Sequence, residues 1–405
     1  MAKISVMHYH RNYSQSDVGG VEAYIRTVCE NLKPKARFYV LTDRRSGQKA
    51  HDFYPEAEVF RVSPQRREGR VLSKVRDMIT GELARQSQRA KILRQVEYDV
   101  LHVHGPVCYS NTVSTGPVFY PFYSKQAWLS TKKPVVMTFH GLAESILKEH
   151  YQNAALNPYF DLWKKIERKN IERADKVIVV DKYAYDELCK RPGIDKDKLE
   201  FVLNPIDTKL FRPMAKAKAC KKLNSVLTVS LDPDVPTFCY TNRLTKDKGA
   251  EHLLRLIDNI HGKYQLIVTG NGKYQKKVAE KARKNPKIKY LGAIPAEMLP
   301  YVVNASDFTF NPTLNAGALR VNMESIACHR PVITFDGGDR YPLADKSTGI
   351  IYRKEDGLAK VVQEAIDSGS LQVGGTKADY DRATRLFDSK GVCNRIFKTY
   401  KEVSK

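Results

Sequence analysis

Four segments of the chain carry residues whose types and spacing suit the binding of an anionic, nucleotide-like ligand. The most informative is Asn315-Ala-Gly-Ala-Leu-Arg-Val-Asn-Met-Glu-Ser-Ile-Ala-Cys-His-Arg-Pro-Val-Ile333. It reads as a glycine turn at Gly317, a helix with Leu319, Met323 and Ile326 on its packing side, and a proline opening the next buried strand. The amides of Gly317, Ala318 and Leu319 are then free at the helix start, where an anion is favoured. Glu324 falls about two turns along, on the face of Gly317 and Arg320, and its carboxylate is suited to accept from ribose hydroxyls. The alternative is a surface pair with Arg320, although Arg before Glu is the less favourable order on a helix.

The other three segments are less specific. Asn242-Arg-Leu-Thr-Lys-Asp-Lys-Gly249 follows an apolar run and offers Arg243 and Lys248 as charge-assisted donors to a diphosphate, or else is a solvated basic loop. In Asp17-Val-Gly-Gly-Val-Glu-Ala-Tyr24, Gly19 and Gly20 let the backbone approach a ligand at a helix start, with Glu22 just inside; an ordinary tight turn has the same composition. His140 ends the apolar run Val135-Val-Met-Thr-Phe, a place that suits a satisfied core histidine as well as a functional one. Two His-x-His pairs, His8/His10 and His102/His104, each put two imidazoles on one side of a strand, with no third ligand evident. Asp232-Pro-Asp234 invites a metal reading, but it precedes a strand and suits a turn.

Parallel strands must position these residues. Short apolar runs alternate with longer amphipathic stretches, the pattern of βαβ units. One series starts at Ile4-Ser-Val-Met-His and passes through Phe38-Tyr-Val-Leu, Val100-Leu-His-Val, Val135 to Phe139 and Val177-Ile-Val-Val to Phe201-Val-Leu. A second comprises Thr237-Phe-Cys-Tyr-Thr, Gln265-Leu-Ile-Val-Thr, Ile288-Lys-Tyr-Leu, Phe308-Thr-Phe and Pro331-Val-Ile-Thr-Phe. The proline-containing break from Asn204 to Pro213 separates them, and 405 residues exceed what one core usually holds. The expectation is an N-terminal domain over 1–205, a C-terminal domain over 206–380, and a terminal helix over 381–405 packing back toward the first.

Together these segments resemble glycosyltransferase family 4, whose members have the GT-B fold: two Rossmann-like α/β domains with the active site in the inter-domain cleft. The family's Gly-Gly-x-Glu is matched by Gly19-Gly20-Val21-Glu22, its strand ending in histidine by Val135 to His140, and its Glu-Arg-x-x-Asp helix end resembles Glu172-Arg-Ala-Asp175. Its Asn-Gly-Val-Asp linker resembles Asn204-Pro-Ile-Asp207, and its Gly-Arg-Leu…Lys-Gly loop resembles Asn242-Arg243-Leu244…Lys248-Gly249. The chain departs from the family at Ala316, where the first of two glutamates usually stands, at Asn242, and at Asp181-Lys182 in place of serine. The resemblance implies retaining transfer from a UDP- or GDP-sugar to a glycan, lipid-linked or other hydroxyl acceptor. It implies His140, Arg243 and Lys248 in the reaction, and substrate binding by Gly19, Gly20, Glu22, Gly317, Ala318, Leu319 and Glu324. The base would be read by the Gly292-Ala-Ile294 backbone. No metal or other cofactor is expected, the nucleotide sugar being a co-substrate.

Bulk composition narrows the rest. No stretch is apolar over the about 20 residues a membrane helix needs, and no signal-peptide-like run follows Met1. Seven cysteines without a Cys-x-x-Cys pair argue against a disulfide framework or a cysteine zinc site, so a cytoplasmic location is expected. A net charge of +23 calls for an anionic partner. From Arg61 to Arg94 the chain is strongly basic and amphipathic, through Arg66, Arg67, Arg70, Lys74, Arg76, Arg85, Arg89 and Lys91. That reads as a solvated face, or as peripheral contact with an anionic membrane or acceptor. The aromatic run Val118 to Tyr123 with Trp128 reads as acceptor surface or core. The rival functions are a nucleotide-sugar-binding protein weakened in catalysis and a polyanion or nucleic-acid binder; charge alone suggests the latter, and nucleic acid is not the expected partner.

Overall fold

The computed structural model describes residues 3–14, 19–63, 71–105, 128, 131–142, 157–313, 320–336, 341, 347–353, 357–369, 371, 373 and 375–405, with side chains described except at 71–82, 157–160, 162 and 163. The chain divides into two compact units, Met1–Pro205 with Val392–Lys405, and Ile206–Gly391.

The first unit is built on strands β1 (Ile4–Tyr9), β2 (Ala36–Asp43), β3 (His51–Phe53), β4 (Glu58–Val62), β5 (Val100–His104), β6 (Val135–Phe139), β7 (Lys176–Val179) and β8 (Leu199–Phe201). Their order is β3-β4-β2-β1-β5-β6-β7-β8, parallel throughout except for the antiparallel edge pair β3/β4. Every residue of β5 and β6 is buried, as a parallel sheet covered on both faces requires. Helices α1 (Gly20–Leu32), α2 (Val71–Gln95), α3 (Asn157–Arg173) and α4 (Lys182–Lys190) supply that cover. Met7, Leu101, Val103, Val135, Met137, Phe139, Val177 and Trp128 lie in one core, so Trp128 serves packing and not an exposed acceptor surface. Asp181 accepts from the Ala184 amide at 2.6 Å and caps α4. Serine caps helices in the same way, so the departure at this position conserves the local physics.

The second unit repeats the plan with β9 (Thr237–Thr241), β10 (Gln265–Thr269), β11 (Ile288–Gly292), β12 (Phe308–Asn311), β13 (Val332–Phe335) and β14 (Gly349–Tyr352), ordered β11-β10-β9-β12-β13-β14 and all parallel. Its helices are α5 (Lys216–Leu227), α6 (Ala250–Asn259), α7 (Gln275–Lys284), α8 (Leu299–Asn304), α9 (Arg320–Ala327), α10 (Gly357–Asp367) and α11 (Lys377–Phe387). The chain then enters α12 (Ser389–Val403), most of which belongs to the first unit. The return therefore begins at Val392 and not at 381, because α11 packs on α9 and the Ile206 amide bonds to the carbonyl of Phe387.

Strand order reverses once in each sheet. In the first unit the chain runs outward one way from β1 and the other way from β5; in the second the same break falls between β9 and β12. Crevices outside the carboxyl ends of such strand pairs are where open α/β sheets hold ligands. No helix among the described residues is long and apolar enough to cross a membrane.

Candidate functional site

At the switch point of the first unit, β1 and β5 pair with His8 opposite His102. This register merges the two His-x-His pairs into one cluster, and β6 adds the residue that follows it, His140. His8 Nδ1 lies 2.8 Å from His104 Nε2, and His104 Nδ1 lies 3.2 Å from His140 Nε2. His102 is saturated separately, by Tyr400 of α12 at 2.6 Å and by Thr138 at 2.7 Å. Tyr24 of α1 sets its ring edge-on to His104 and His140, with centroids 5.6 and 5.1 Å away. Burial pushes His8 and His140 down to about 3, and His102 and His104 well below their ordinary range. All four rings are thus neutral at pH 7.

Ring nitrogens of His8, His102 and His104 lie within 4.8 Å of one another, a third ligand that spacing along the chain did not reveal. His102 and His104 already use both ring nitrogens, and His8 uses Nδ1, in the hydrogen bonds above, so a metal there would have to displace them. Beside this cluster His10 Nε2 stands 3.7 Å from Glu22 Oε1. Burial raises the Glu22 carboxyl, but His10, its own backbone amide and Arg45 outweigh it and hold the group below its usual range. The Glu22 carboxylate also folds over Gly19, within 2.0 Å of where a side-chain carbon at that residue would sit. The Gly19-Gly20 helix start and His140 are therefore neighbours around one glutamate, as the Glu22 charge acting on His140 also indicates.

In the second unit the loop after β9 is shaped from beneath. The buried Tyr240 hydroxyl donates toward the carbonyls of Arg243 and Lys248 at 2.8 and 3.0 Å, tying the two cation-bearing residues to the strand end. Arg243 projects, its side chain 71% exposed and 3.6 Å from Asp247, while Lys248 closes a single 3-10 turn, Lys246–Lys248. Gly249 follows at φ +70°, and a side-chain carbon there would meet the Pro312 carbonyl at 2.1 Å. Gly270, at φ +105°, lies equally close to the Asn242 carbonyl, so the loops after β9, β10 and β12 approach one another through these two glycines. Asn242 explains its own departure from the family: its amide donates to Asn311 Oδ1 at 2.9 Å, and Asn311 donates to Asn322 of α9 at 2.7 Å. That amide chain links β9, β12 and α9, and motif comparison alone did not reveal it. Gly292 accepts from the Gly270 amide at 2.7 Å, and the Ile294 side chain packs against the core beneath, leaving a fixed backbone at the end of β11.

Glu324 is buried on α9, and its Oε1 accepts from Arg320 Nε at 2.7 Å. The pair set against the ribose reading is thus formed, yet it is largely enclosed, with side chains 10% and 21% exposed. Burial raises the Glu324 carboxyl while Arg320 opposes the rise. Met323 and Ile326 are buried as their spacing requires; Gly317, Ala318 and Leu319, with Ala316, lie outside the described residues. Asp232 Oδ1 accepts from the Asp234 amide at 2.9 Å, which makes the Asp-Pro-Asp segment a turn.

The basic segment is corrected in part. Arg61 and Arg89 are not on a solvated face: both are buried. Arg61 bonds to Tyr54 at 2.5 Å and to Asp52 at 3.5 Å, and Arg89 pairs with Asp43 beside the Tyr9 ring. Lys91 and Arg94 are exposed; Arg66, Arg67 and Arg70, like the aromatic run from Val118 to Tyr123, lie outside the described residues.

Comparison with known proteins agrees with the architecture of two parallel-sheet units. A profile of Glycosyltransferase Family 4 matches residues 18–210, and one of Glycosyl transferases group 1 matches residues 235–368. An alpha-maltose-1-phosphate synthase of Mycolicibacterium smegmatis is 23% identical over 231 residues, covering 54% of this chain and 58% of its own length. The chain thus spans little more than half of that relative. A D-inositol 3-phosphate glycosyltransferase of Corynebacterium kroppenstedtii is 24% identical over 91% of this chain and 82% of its own. Among solved structures, sucrose-phosphate synthase from Thermosynechococcus elongatus superposes with TM-score 0.74 at 18% identity, covering 99% of both chains. Anabaena HepE, in complex with UDP and glucose, superposes with TM-score 0.70 at 16% identity, covering 98% of this chain and 100% of its own. The chain belongs to glycosyltransferase family 4 and has the GT-B fold.

Proposed function

We propose that the chain transfers a sugar from a UDP- or GDP-sugar to a hydroxyl acceptor, with retention at the anomeric carbon and without a metal ion. The observation that carries this reading is the loop after β9, where the Tyr240 hydroxyl holds the carbonyls of Arg243, whose side chain is exposed, and of Lys248, which ends a single 3-10 turn. Two cation-bearing residues held by their backbone at a sheet switch point suit a diphosphate, which a metal would otherwise neutralise. Glu324 accepts from the ribose, the backbone from Gly292 to Ile294 meets the base, and Gly317, Ala318 and Leu319, which precede α9 in the sequence, meet phosphate. Gly19, Gly20 and Glu22 line the sugar and acceptor side, with His140 near the transferred sugar. HepE's complex with UDP-glucose supports a nucleotide-sugar donor for this fold.

In a same-face displacement the bond from the anomeric carbon to the leaving phosphate breaks as the acceptor oxygen attacks, and the acceptor's proton passes to a phosphate oxygen. His140, neutral at pH 7, brings a hydrogen bond and no charge, so stabilisation of the leaving group falls on Arg243 and Lys248. A thermal-shift screen across nucleotide sugars tests the donor: a ligand at a hundred times its Kd adds about 2.7 kcal/mol. Turnover should persist in EDTA. Activity lost in chelator and restored by manganese refutes the metal-free reading, and binding without turnover of any donor reduces the protein to a nucleotide-sugar binder. Exposed Lys91 and Arg94 fit an anionic acceptor or membrane surface reached from the cytoplasm.

A further inference from the structure

The chain from His8 through His104 to His140 has a direction. Two ring nitrogens facing each other at 2.8 or 3.2 Å need one proton between them, one ring donating and the other accepting. A neutral imidazole carries a single N–H, so the three rings have two consistent arrangements: protons on every Nδ1, or protons on every Nε2. His8 Nε2 distinguishes them, because it is buried and meets no hydrogen-bond partner among the described residues. With protons on Nε2 it would be an orphaned buried N–H; with protons on Nδ1 it is an idle lone pair. Orphaned buried N–H groups are the rarer of the two.

We infer that His104, itself held by His8, is a positioning residue that keeps His140 in the Nδ1–H form, so that His140 offers the substrate an N–H donor and no base. Competing partners for His104 are removed, since Thr138 is taken by His102 and Tyr24 closes the side of the stack with its ring edge. No described side chain bonds to His140 Nδ1, which is the nitrogen left for a ligand oxygen, a sugar hydroxyl or a phosphate. The inference rests on the reading that His140 meets the transferred sugar. It deepens that reading by assigning the acceptor's proton to the leaving phosphate and denying it to His140.

The test uses the full chain labelled with 15N-histidine, whose long-range proton–nitrogen spectra report which ring nitrogen carries hydrogen. Single substitutions at His8, His104 and His140 assign the signals. The expected result is His140 as Nδ1–H in the parent, reverting toward Nε2–H in His104→Phe. His104→Asn, whose amide can donate from about the same place, should restore the Nδ1–H form. In donor turnover, His104→Phe should lower kcat about ten- to hundredfold, the worth of one hydrogen bond to a charged or developing charge. The donor KM should stay within about twofold, and His104→Asn should recover most of kcat. His140 found as Nε2–H in the parent overturns the inference, as does an unchanged His140 tautomer in His104→Phe. Stoichiometric zinc bound through these imidazoles in the purified protein also overturns it. If the parent turns over no nucleotide sugar, the functional reading fails, while the spectrum of the parent still decides the tautomer.

Discussion

Glu324→Gln separates two roles for one carboxylate. Its Oε1 accepts from Arg320 Nε at 2.7 Å in a largely enclosed pair. Glutamine keeps the size and the accepting oxygen and removes only the charge. Removal relieves the cost of burying an anion but leaves the guanidinium without its counter-charge, and the two effects oppose, so stability should change by no more than about 1 kcal/mol. The donor should respond far more. A charge-assisted bond to ribose is worth about 1.5 to 3 kcal/mol, so affinity for the nucleotide sugar should fall roughly ten- to hundredfold. Calorimetric titration of donor, beside a thermal melt, reads both quantities. Arg320→Gln is the control: it breaks the same enclosed pair but keeps the carboxylate, so it should cost stability through the unpaired Glu324 charge while lowering donor affinity less than Glu324→Gln does. The pH dependence has a definite sign, because burial raises the folded carboxyl above its ordinary 4.5. The folded state holds this proton more tightly, so ionisation lowers stability as pH rises from the unfolded value through the folded one. Donor binding needs the ionised form, and parent affinity should strengthen across that same window while that of Glu324→Gln stays flat. If Glu324→Gln binds donor as tightly as the parent, the ribose role is wrong and the residue is only the partner of Arg320.

Tyr240→Phe removes the hydroxyl shared by the Arg243 and Lys248 carbonyls and should cost about 1 to 2 kcal/mol in urea unfolding. It should also weaken donor binding; intact affinity with lost stability would confine Tyr240 to packing. Arg89→Ala removes a buried side chain and one of the two cations that Asp43 meets among the described residues, Arg11 being the other, and should cost about 1 to 3 kcal/mol, whereas Lys91→Glu and Arg94→Glu should each stay within about 0.5 kcal/mol. Equal tolerance at all three positions would mean that Arg89 is solvated after all. Acid should unfold the chain through its histidine cluster. Folded values below 6.5 mean that the unfolded chain binds more protons, so stability is complete above about pH 6.5 and falls toward about 3, by about 1.4 kcal/mol per pH unit for each imidazole. A melting temperature flat between pH 7 and 4 would show that these rings are not buried neutral.

Strands whose apolar runs are continuous were legible in the sequence, and the residues just beyond them, such as His140 and Arg243, were found by that rule. Strand β4 was not, because Arg61 interrupts its pattern and becomes comfortable only once Tyr54 and Asp52 surround it. Strand β14 is no shorter than β7, β12 or β13, but it opens on Gly349, a residue that weakens a strand pattern. Arg89 looked solvated for a related reason: its counter-charge, Asp43, is 46 positions away, and hydropathy along a helix has no knowledge of it. The histidine chain depends on sheet order, since His8 and His104 meet only because β1 lies beside β5. Asp181 in place of serine stood in the sequence only as a departure, and the Ala184 amide it caps shows that the substitution keeps the local role.

The return of α12 bears on how the protein is made. Tyr400 meets His102, the Cys393 thiol lies against the Thr27 carbonyl, and Arg395 reaches Glu200, so the first unit is completed by residues translated after the whole of the second. The whole of Ile206–Gly391 is in effect inserted between two parts of one domain. At about 5 to 20 residues per second, the ribosome leaves the earlier part waiting roughly 10 to 40 s for α12. During that interval His102 lacks the hydroxyl that engages its Nδ1, and the flank of α1 that receives Cys393 is bare. A chain cut before Val392 would leave the first unit without any of these contacts.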